Sequence, residues 1–371
     1  MLKAFEVTNF KGFSKKLTFD LTARDYEFNQ NLTECGIVKK AIIYGKNGVG
    51  KSSLGIALFD IVSHLTDKER IPLLYLQNYI CLENIIEPAS FKYTFIFDKD
   101  VVEYEYRKWD ADNLVSEKLI CNGDVLIDYD YLSNSSSRFI DDSIKGSLNI
   151  NLVDNKLSVI KYIYRNTPTD NDSVITKLVN FCENMLWYRR LSEGSSYAGF
   201  INGNNNFLEL IYERGKTQEL QRFLKRNSVD YDLDFESVNG RRELLAYFNN
   251  RQNKTFFTSV ASTGTMALTQ FFAWFTVAFE KISLLFIDEF DAFLHFESAK
   301  LIIEELNKQK GFQSIVTTHN TYLMQNKLTR PDCCYLMTQN KISSLFNSTD
   351  KEIREAHNLE KMYVNGAFTD E

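Results

Sequence analysis

The chain has 371 residues, of which 44% are hydrophobic and 25% are charged, an ordinary globular balance that suits one large or two modest domains. A net charge of −6 excludes a protein that is basic overall, although it leaves a local basic face open. The six cysteines include no CxxC pair, so we expect neither a zinc site nor disulfides, and a reducing, cytoplasmic location. No apolar run reaches the ~18 residues that would span a bilayer, so we expect no membrane partner.

Periodicity in the first part of the chain predicts alternating strands and one helix. The elements predicted there are, in chain order, two short strands in 2–19 around Gly12, a buried strand at 39–45, a helix at 51–65 and an antiparallel strand pair at 91–97 and 101–109. Together with the end of the chain, these elements predict one discontinuous domain, 1–110 plus 255–371, which carries the motifs described below.

The middle of the chain, 110–255, is predicted to be a mostly helical insert that forms a partner or trigger surface. A polar loop is expected at 131–143, and helical spacing appears at 174–191 and 206–227. Regular patterning returns after about residue 255. The elements predicted there are a helix at 266–282, a strand at 283–289, a helix at 298–309, a strand at 313–319 and a strand pair within 333–346.

A glycine-rich loop lies between the strand at 39–45 and the helix that follows it, and fits GxxxxGK[ST] in full. Its glycines let backbone N–H groups turn inward around a phosphate, and the helix directs its positive dipole end at the same place. Lys51 is expected to reach the β- and γ-phosphates of ATP, and Ser52 to ligate Mg²⁺. A chance match is the alternative, but the flanking strand and helix argue against it. The expected ATP-binding residues of this loop are Gly45, Lys46, Asn47, Gly48, Val49, Gly50, Lys51, Ser52 and Ser53.

An apolar strand at 283–287 leads into two adjacent acids, Asp288 and Glu289. The carboxyl end of such a strand is where α/β sheets place their ligands. Asp288 is expected to hold Mg²⁺ through water, and Glu289 to orient or deprotonate the attacking water. Taken alone, the pair could merely cap the next helix; the phosphate loop favours the catalytic interpretation.

Two further features complete the predicted site. His319, one of four histidines, ends the β-branched strand at 313–319 and can donate to a γ-phosphate; the alternative is a surface histidine. Upstream, a small and hydroxyl-rich turn opens the helix that precedes the acidic strand, and a turn of this kind at a helix N-terminus is a second anion site or an ordinary N-cap. The residues of that turn are Ser262, Thr263, Gly264 and Thr265.

The order of these four pieces resembles the ATPase head of the ABC type. More narrowly, the chain is similar to the AAA/ABC-hybrid ATPases of bacterial anti-phage defence operons, relatives of OLD-family ATPases and of RecF and SMC heads. The resemblance covers 1–110 and 210–371, and includes "LKAFEVTNFKGF", "ASTGTMAL", "IDEFDAFLH" and "LEKMYVNGAF". It implies an α/β P-loop NTPase with a mixed central sheet, flanking helices and an antiparallel β subdomain.

Three positions relate to the family pattern less directly. His295 stands where many such heads have an aspartate, so the sequence departs from the family pattern at that contact. Gln77 is the nearest candidate for the glutamine that such heads place between the first helix and the period-two strands. By the same resemblance Lys11 approaches the nucleotide; otherwise it is a solvated lysine.

In such heads two ATP molecules are sandwiched between two copies, each facing the other's signature turn. The resemblance therefore implies a homodimer or a higher oligomer in which Ser262, Gly264 and Thr265 contact the partner's ATP. About 50 residues follow His319, too few for the Toprim nuclease that OLD-family proteins carry, so we expect any nuclease or toxin to be a separate effector. The alternative is a RecF-like or SMC-like clamp that binds DNA, for which 210–254 supplies nine Lys/Arg but also seven Asp/Glu.

Overall fold

The computed structural model describes residues 1–68, 77–133, 135–138, 155–168, 170–189, 197–199, 207–277 and 281–368. The described strands are β1 (Leu2–Thr8), β2 (Leu17–Asp20), β3 (Thr33–Glu34), β4 (Ile37–Val38), β5 (Lys40–Tyr44), β6 (Ala89–Phe97), β7 (Asp100–Lys108), β8 (Leu114–Cys121), β9 (Asp124–Asp130), β10 (Ser135–Arg138), β11 (Met185–Arg189), β12 (Tyr197–Gly199), β13 (Asp232–Val238), β14 (Arg241–Phe248), β15 (Asn253–Phe256), β16 (Leu284–Asp288), β17 (Gln313–Thr318), β18 (Cys334–Met337) and β19 (Ile342–Ser344).

The described α-helices are α1 (Lys51–Leu65), α2 (Val159–Asn166), α3 (Val174–Glu183), α4 (Phe207–Glu213), α5 (Thr217–Arg226), α6 (Phe257–Val260), α7 (Thr263–Val277), α8 (Phe296–Lys308) and α9 (Leu359–Val364). Among the residues described, no helix is long and apolar enough to cross a bilayer.

A seven-stranded central sheet carries the site. Its order is β12-β11-β16-β17-β5-β18-β19. The strands from β11 to β18 are parallel, and the two edge strands, β12 and β19, are antiparallel to their neighbours. All residues of β5, β16 and β17 are buried, as near-continuous apolar runs predict for parallel strands covered on both faces. Because β16 and β17 lie next to β5, the residues that end these three strands meet at one edge of the sheet.

A second seven-stranded sheet, fully antiparallel, has the order β10-β9-β8-β7-β6-β1-β2. In β6 and β7 buried residues alternate with partly exposed ones, which matches their period-two pattern. Helix α1 packs into the core formed with this sheet. Gly55 allows its close approach to the central sheet, because a Cβ there would lie 2.7 Å from the Phe286 ring and 2.9 Å from Trp187 Nε1.

The prediction of an α/β fold with a mixed central sheet and an antiparallel subdomain is confirmed, and so are the elements predicted in 1–110 and 255–371 wherever they are described. Among the described residues of 110–255, more lie in strands than in helices, so there the prediction of a mostly helical insert is wrong. Strands β8 and β9 extend the antiparallel sheet past residue 110, β11 joins the central sheet, and β13, β14 and β15 form a three-stranded meander.

The helical spacing at 174–191 failed as a single helix because its second half pairs with another strand. Helix α3 ends at Glu183, and β11 then runs parallel to β16, so tertiary pairing overrides local periodicity. The helix predicted at 206–227 is two helices, α4 and α5, separated at Gly215, whose φ of 62° is left-handed. Within the predicted loop at 131–143, β10 pairs with β9; residues 134 and 139–143 lie outside the described residues.

Candidate nucleotide-binding site

The phosphate loop joins β5 to α1. Two of its glycines, Gly48 and Gly50, have φ values of 82° and 103°, a left-handed conformation that side chains rarely adopt. Lys51 Nζ donates to the carbonyl oxygens of Gly45 at 2.8 Å and Lys46 at 3.1 Å. Burial lowers the pKa of Lys51. The loop thus curls around the ammonium group that the motif assigns to phosphate.

The end of β16 meets the first turn of α1 on the other side of Lys51. Ser52 Oγ donates to Asp288 Oδ2 at 2.5 Å, and Thr317 Oγ1 donates to Asp288 Oδ1 at 2.7 Å. Asp288 is 1% exposed, so two hydroxyl groups fix both oxygens of a buried carboxylate. A serine hydroxyl beside a carboxylate supplies the hard oxygen ligands that Mg²⁺ prefers, and this donor set therefore fits the ion.

Glu289 occupies a strained position directly after Asp288. Its φ of 46° lies in the left-handed region, which is uncommon for residues other than glycine and is found at functional sites. Its N–H donates to Thr317 Oγ1 at 2.8 Å, which holds the turn. The backbone thus turns as soon as β16 ends and directs this carboxylate to a different place from that of Asp288.

His319 connects the acid to the lysine. Its Nε2 lies 3.7 Å from Glu289 Oε1, and its Nδ1 lies 3.4 Å from Lys51 Nζ. Glu289 and His319 line a cavity of about 730 Å³ together with Asn47 and Gly48 of the phosphate loop. The structure therefore brings together the three residues that the sequence predicts to be catalytic.

Three residues of the site were not assigned roles from the sequence. Thr317 bridges Asp288 and Glu289, as described above, while Asp291 and Asn320 line the cavity. Asp291 accepts from Thr318 Oγ1 at 2.7 Å, and burial raises the pKa of its carboxyl group. Thr317 lies two residues before His319 on the same predicted strand, so its location could be predicted, but its partner Asp288 lies 29 residues earlier in the chain, at the end of β16.

Lys11 and Gln77 lie together on the side of the phosphate loop where Ser52, the expected Mg²⁺ ligand, is found. Lys11 Nζ donates to the Gln77 carbonyl oxygen at 3.2 Å, and both residues line a cavity of about 580 Å³ with Ser52 and Ser53. Burial lowers the pKa of Lys11. The placement is compatible with both expected roles, and it gives Lys11 a protein partner that a merely solvated lysine would lack.

The signature turn is a separate feature. Ser262 and Thr263 are exposed at the start of α7, and Ser262 Oγ accepts from the Thr265 N–H at 3.1 Å as an N-cap. These residues line neither of the two cavities described above beside the phosphate loop. Downstream, His295 caps α8, with its Nδ1 3.5 Å from the Glu297 N–H. The first two residues of the turn thus face solvent rather than the chain's own phosphate loop, whereas Thr265 is buried, at 5% exposed.

Gly264→Ala is expected to destabilise the fold and displace the segment that follows Glu289. A Cβ at Gly264 would lie 2.8 Å from the Phe293 carbonyl oxygen, a backbone atom that cannot move aside alone. Overpacking of this kind costs about 1–3 kcal/mol in free energy of unfolding. Urea denaturation measures this free energy, and Gly311→Ala is the control, since nothing lies within 4 Å of a Cβ there. Equal stability of the two variants would contradict the packing.

The loop, the acidic strand and the histidine on a central parallel sheet define a P-loop ATPase domain. Residues 40–325 match the family described as "AAA domain, putative AbiEii toxin, Type IV TA system", and the chain belongs to that family. Membership in a P-loop ATPase family confirms the predicted class of fold.

Solved structures of ATPase heads are similar to the chain. One is an SMC head bound to the C-winged helix domain of ScpA (16% identity, covering 93% of this chain and 97% of that chain, TM-score 0.46). Another is the SMC head domain from Thermotoga maritima (15% identity, 92% and 98% covered, TM-score 0.41). A third is the recombination mediator protein RecF-ATPrS of the RecFOR pathway (15% identity, 93% and 98% covered, TM-score 0.39). No curated protein matches the sequence.

Proposed function

We propose that the chain is an ATP-binding and ATP-hydrolysing regulatory subunit of a bacterial anti-phage, abortive-infection system. It assembles with ATP as a homodimer or higher oligomer and controls a separate effector protein, a nuclease or toxin. The observation that carries the ATPase part is that Glu289 and His319 line one cavity beside the phosphate loop, with Lys51 Nζ 3.4 Å from His319 Nδ1. Membership in a family described by a toxin and a toxin–antitoxin system supports the defence role.

Each side chain has a role that its surroundings support. Lys51 exchanges the loop carbonyls for the β- and γ-phosphate oxygens, which are better partners for an ammonium group because they are charged. Ser52 and Asp288 would hold Mg²⁺, which would neutralise charge on the phosphates. Glu289 accepts the proton of the attacking water, and His319, next to it in the same cavity, donates to the γ-phosphate.

The signature turn serves the nucleotide of a second copy. Helix α7 begins at Thr263 with exposed residues, and the N-terminus of a helix of 15 residues favours an anion. A site completed only when two copies meet binds ATP more tightly in the closed dimer than in the single chain, so ATP shifts the population toward that state. Hydrolysis at Glu289 then releases the dimer.

The test of this proposal is Glu289→Gln in the presence of ATP and Mg²⁺. The variant keeps the phosphate loop and the metal ligands but lacks the base, so it is expected to accumulate as a dimer or larger species. Light scattering after size exclusion measures the mass with ATP, with ADP and without nucleotide. Glu352→Gln, at an exposed glutamate paired with Arg354, is the matched control. A Glu289→Gln variant that binds ATP and stays monomeric contradicts the sandwich.

A DNA-binding clamp is the second candidate, and the basic residues of 210–254 are what favour it. Five of the nine are already in ion pairs, which weakens a phosphate-binding face. The pairs are Lys216 with Glu219, Lys225 with Asp230, Arg226 with Glu305, Arg251 with Asp232 and Lys254 with Glu236. Titration of DNA with ATP at several salt concentrations separates the candidates, since phosphate contacts give a steep negative slope of log K against log salt. If DNA does not bind even at low salt, the DNA-binding clamp is excluded.

A further inference from the structure

A short loop, Cys81–Glu87, displays three large aliphatic side chains to solvent. Leu82, Ile85 and Ile86 are 71%, 69% and 82% exposed. In no other place among the described residues do three exposed large hydrophobic side chains fall within five positions. Single exposed hydrophobic residues are normal, but a cluster of them marks an interaction site. We call these seven residues the aliphatic loop.

The backbone of the aliphatic loop is fixed from below by one buried side chain. Asn9, 1% exposed, donates through Nδ2 to the carbonyl oxygens of Asn84 at 2.8 Å and Glu87 at 2.6 Å. The Cys81 N–H donates to the Asn9 carbonyl oxygen at 3.3 Å, so both ends of the loop are tied to β1 and its turn. A preorganised loop loses little conformational entropy when a partner binds, which favours affinity.

The aliphatic loop itself carries two carboxylates, Glu83 and Glu87, and no cation, although Lys11 lines the neighbouring cavity with Leu82 and Glu83. Glu83 and Glu87 are both exposed, and the described residues provide neither with an ion pair. The Glu87 carboxylate accepts from Asn84 Nδ2 at 3.2 Å. Electrostatic complementarity therefore favours a partner that carries Lys or Arg beside its apolar residues.

The aliphatic loop also lies beside the nucleotide site. Leu82 and Glu83 line the same cavity of about 580 Å³ as Ser52 and Ser53 of the phosphate loop. Lys11 and Gln77, which are hydrogen-bonded to each other, line this cavity as well. A protein segment bound to the aliphatic loop would therefore lie next to Ser52, the expected Mg²⁺ ligand.

We propose that the aliphatic loop is a docking site for a segment of a separate protein, amphipathic, with leucine-like side chains flanked by Lys or Arg. Its apolar residues cover Leu82, Ile85 and Ile86, and its cations pair with Glu83 and Glu87. The proposal rests on the proposed function only in that a separate partner exists. The proposal is tested by measuring peptide binding, which needs no ATP hydrolysis. Its failure can therefore be told apart from failure of the proposed ATP-dependent dimer.

The experiment uses the full chain and two fluorescent helical peptides, one of leucine and lysine and one of leucine and glutamate. Fluorescence anisotropy measures their affinities. Ile85→Ser with Ile86→Ser is expected to weaken binding of the leucine–lysine peptide at least ~10-fold, since two isoleucines that the complex would bury are lost. The control, Leu132→Ser with Val364→Ser, removes two side chains of similar exposure elsewhere and should bind like the unmodified chain. Glu83→Lys with Glu87→Lys is expected to reverse the preference between the peptides.

Three results would overturn the proposal. The first is equal affinity of the isoleucine variant and its control for the leucine–lysine peptide. The second is a fall in Tm of more than ~4 °C in the isoleucine variant, because exposed substitutions have small effects and such a fall would mean that the chain itself covers these side chains. The third is a smaller mass of that variant in solution, which would make the aliphatic loop a contact between copies.

Discussion

Lys51→Ala is expected to reduce ATP hydrolysis by at least ~10²–10³-fold, the usual loss when one preorganised donor to a developing charge is removed. Lys51 is 5% exposed and its ammonium group lies between the loop carbonyls and His319, so the substitution removes the buried cation that is positioned for the phosphates. Nucleotide affinity should fall as well, because the ammonium group pairs with phosphate already in the ground state. Phosphate release and binding of a fluorescent ATP analogue measure the two effects separately.

Lys300→Ala is the matched control for this variant. Lys300 lies on α8, and its contact with Glu304 at 3.9 Å is an exposed i,i+4 pair, so hydrolysis should stay within about twofold of the unmodified chain. Thermal unfolding of both variants checks that the fold is intact. If Lys51→Ala hydrolyses ATP like Lys300→Ala, the cavity beside the phosphate loop is not the catalytic site.

The phosphate loop and the acidic strand could be predicted because each is encoded within about ten consecutive residues. The spacing from Gly45 to Ser52 sets the loop, and the apolar run before Asp288 sets a buried parallel strand. His319 could be predicted for the same reason, as the end of an adjacent β-branched strand. That these ends would meet followed from the geometry of parallel sheets, and the distances among Lys51, Glu289 and His319 agree with it.

The residues that could not be predicted act across the chain. Thr317 matters because it bridges Asp288 and the Glu289 N–H, contacts that need the register of β16 against β17. The insert failed for a related reason, since β11 is a short apolar stretch whose partner, β16, lies about 100 residues later. Local spacing identifies helices well when the helix stands alone, and poorly when a distant strand competes for the same residues.

A buried charged group links the phosphate-loop helix to the antiparallel sheet. Asp60 on α1 is 0% exposed and accepts from Lys108 Nζ of β7 at 2.7 Å. Tyr79 and Tyr106 donate to the same carboxylate, each at 3.0 Å. One turn further along α1, His64 lies 3.1 Å from Glu117 of β8, and burial lowers the pKa of the histidine. The helix that begins at Lys51 is thereby fixed to the second sheet.

Lys108→Met is expected to lower the free energy of unfolding by about 3–5 kcal/mol, because it leaves the Asp60 carboxylate buried without its cation. Methionine fills much of the same volume, so a cavity contributes little. Lys118→Met is the matched control: its partner Asp128 lies 3.1 Å away, both side chains are roughly two-fifths exposed, and the expected loss is below ~1 kcal/mol. Urea denaturation of both variants measures the difference.

The double variant Asp60→Asn with Lys108→Met distinguishes two causes for the loss of stability in Lys108→Met. If the damage in Lys108→Met comes from an uncompensated buried charge, neutralising Asp60 should recover most of the stability, since an amide can still accept from Tyr79 or Tyr106. If the double variant stays as unstable as Lys108→Met, packing of the lysine stem was responsible instead. Hydrolysis by the double variant then shows whether fixing α1 by charge, and not only by apolar contact, is needed to hold Lys51 and Ser52 in place.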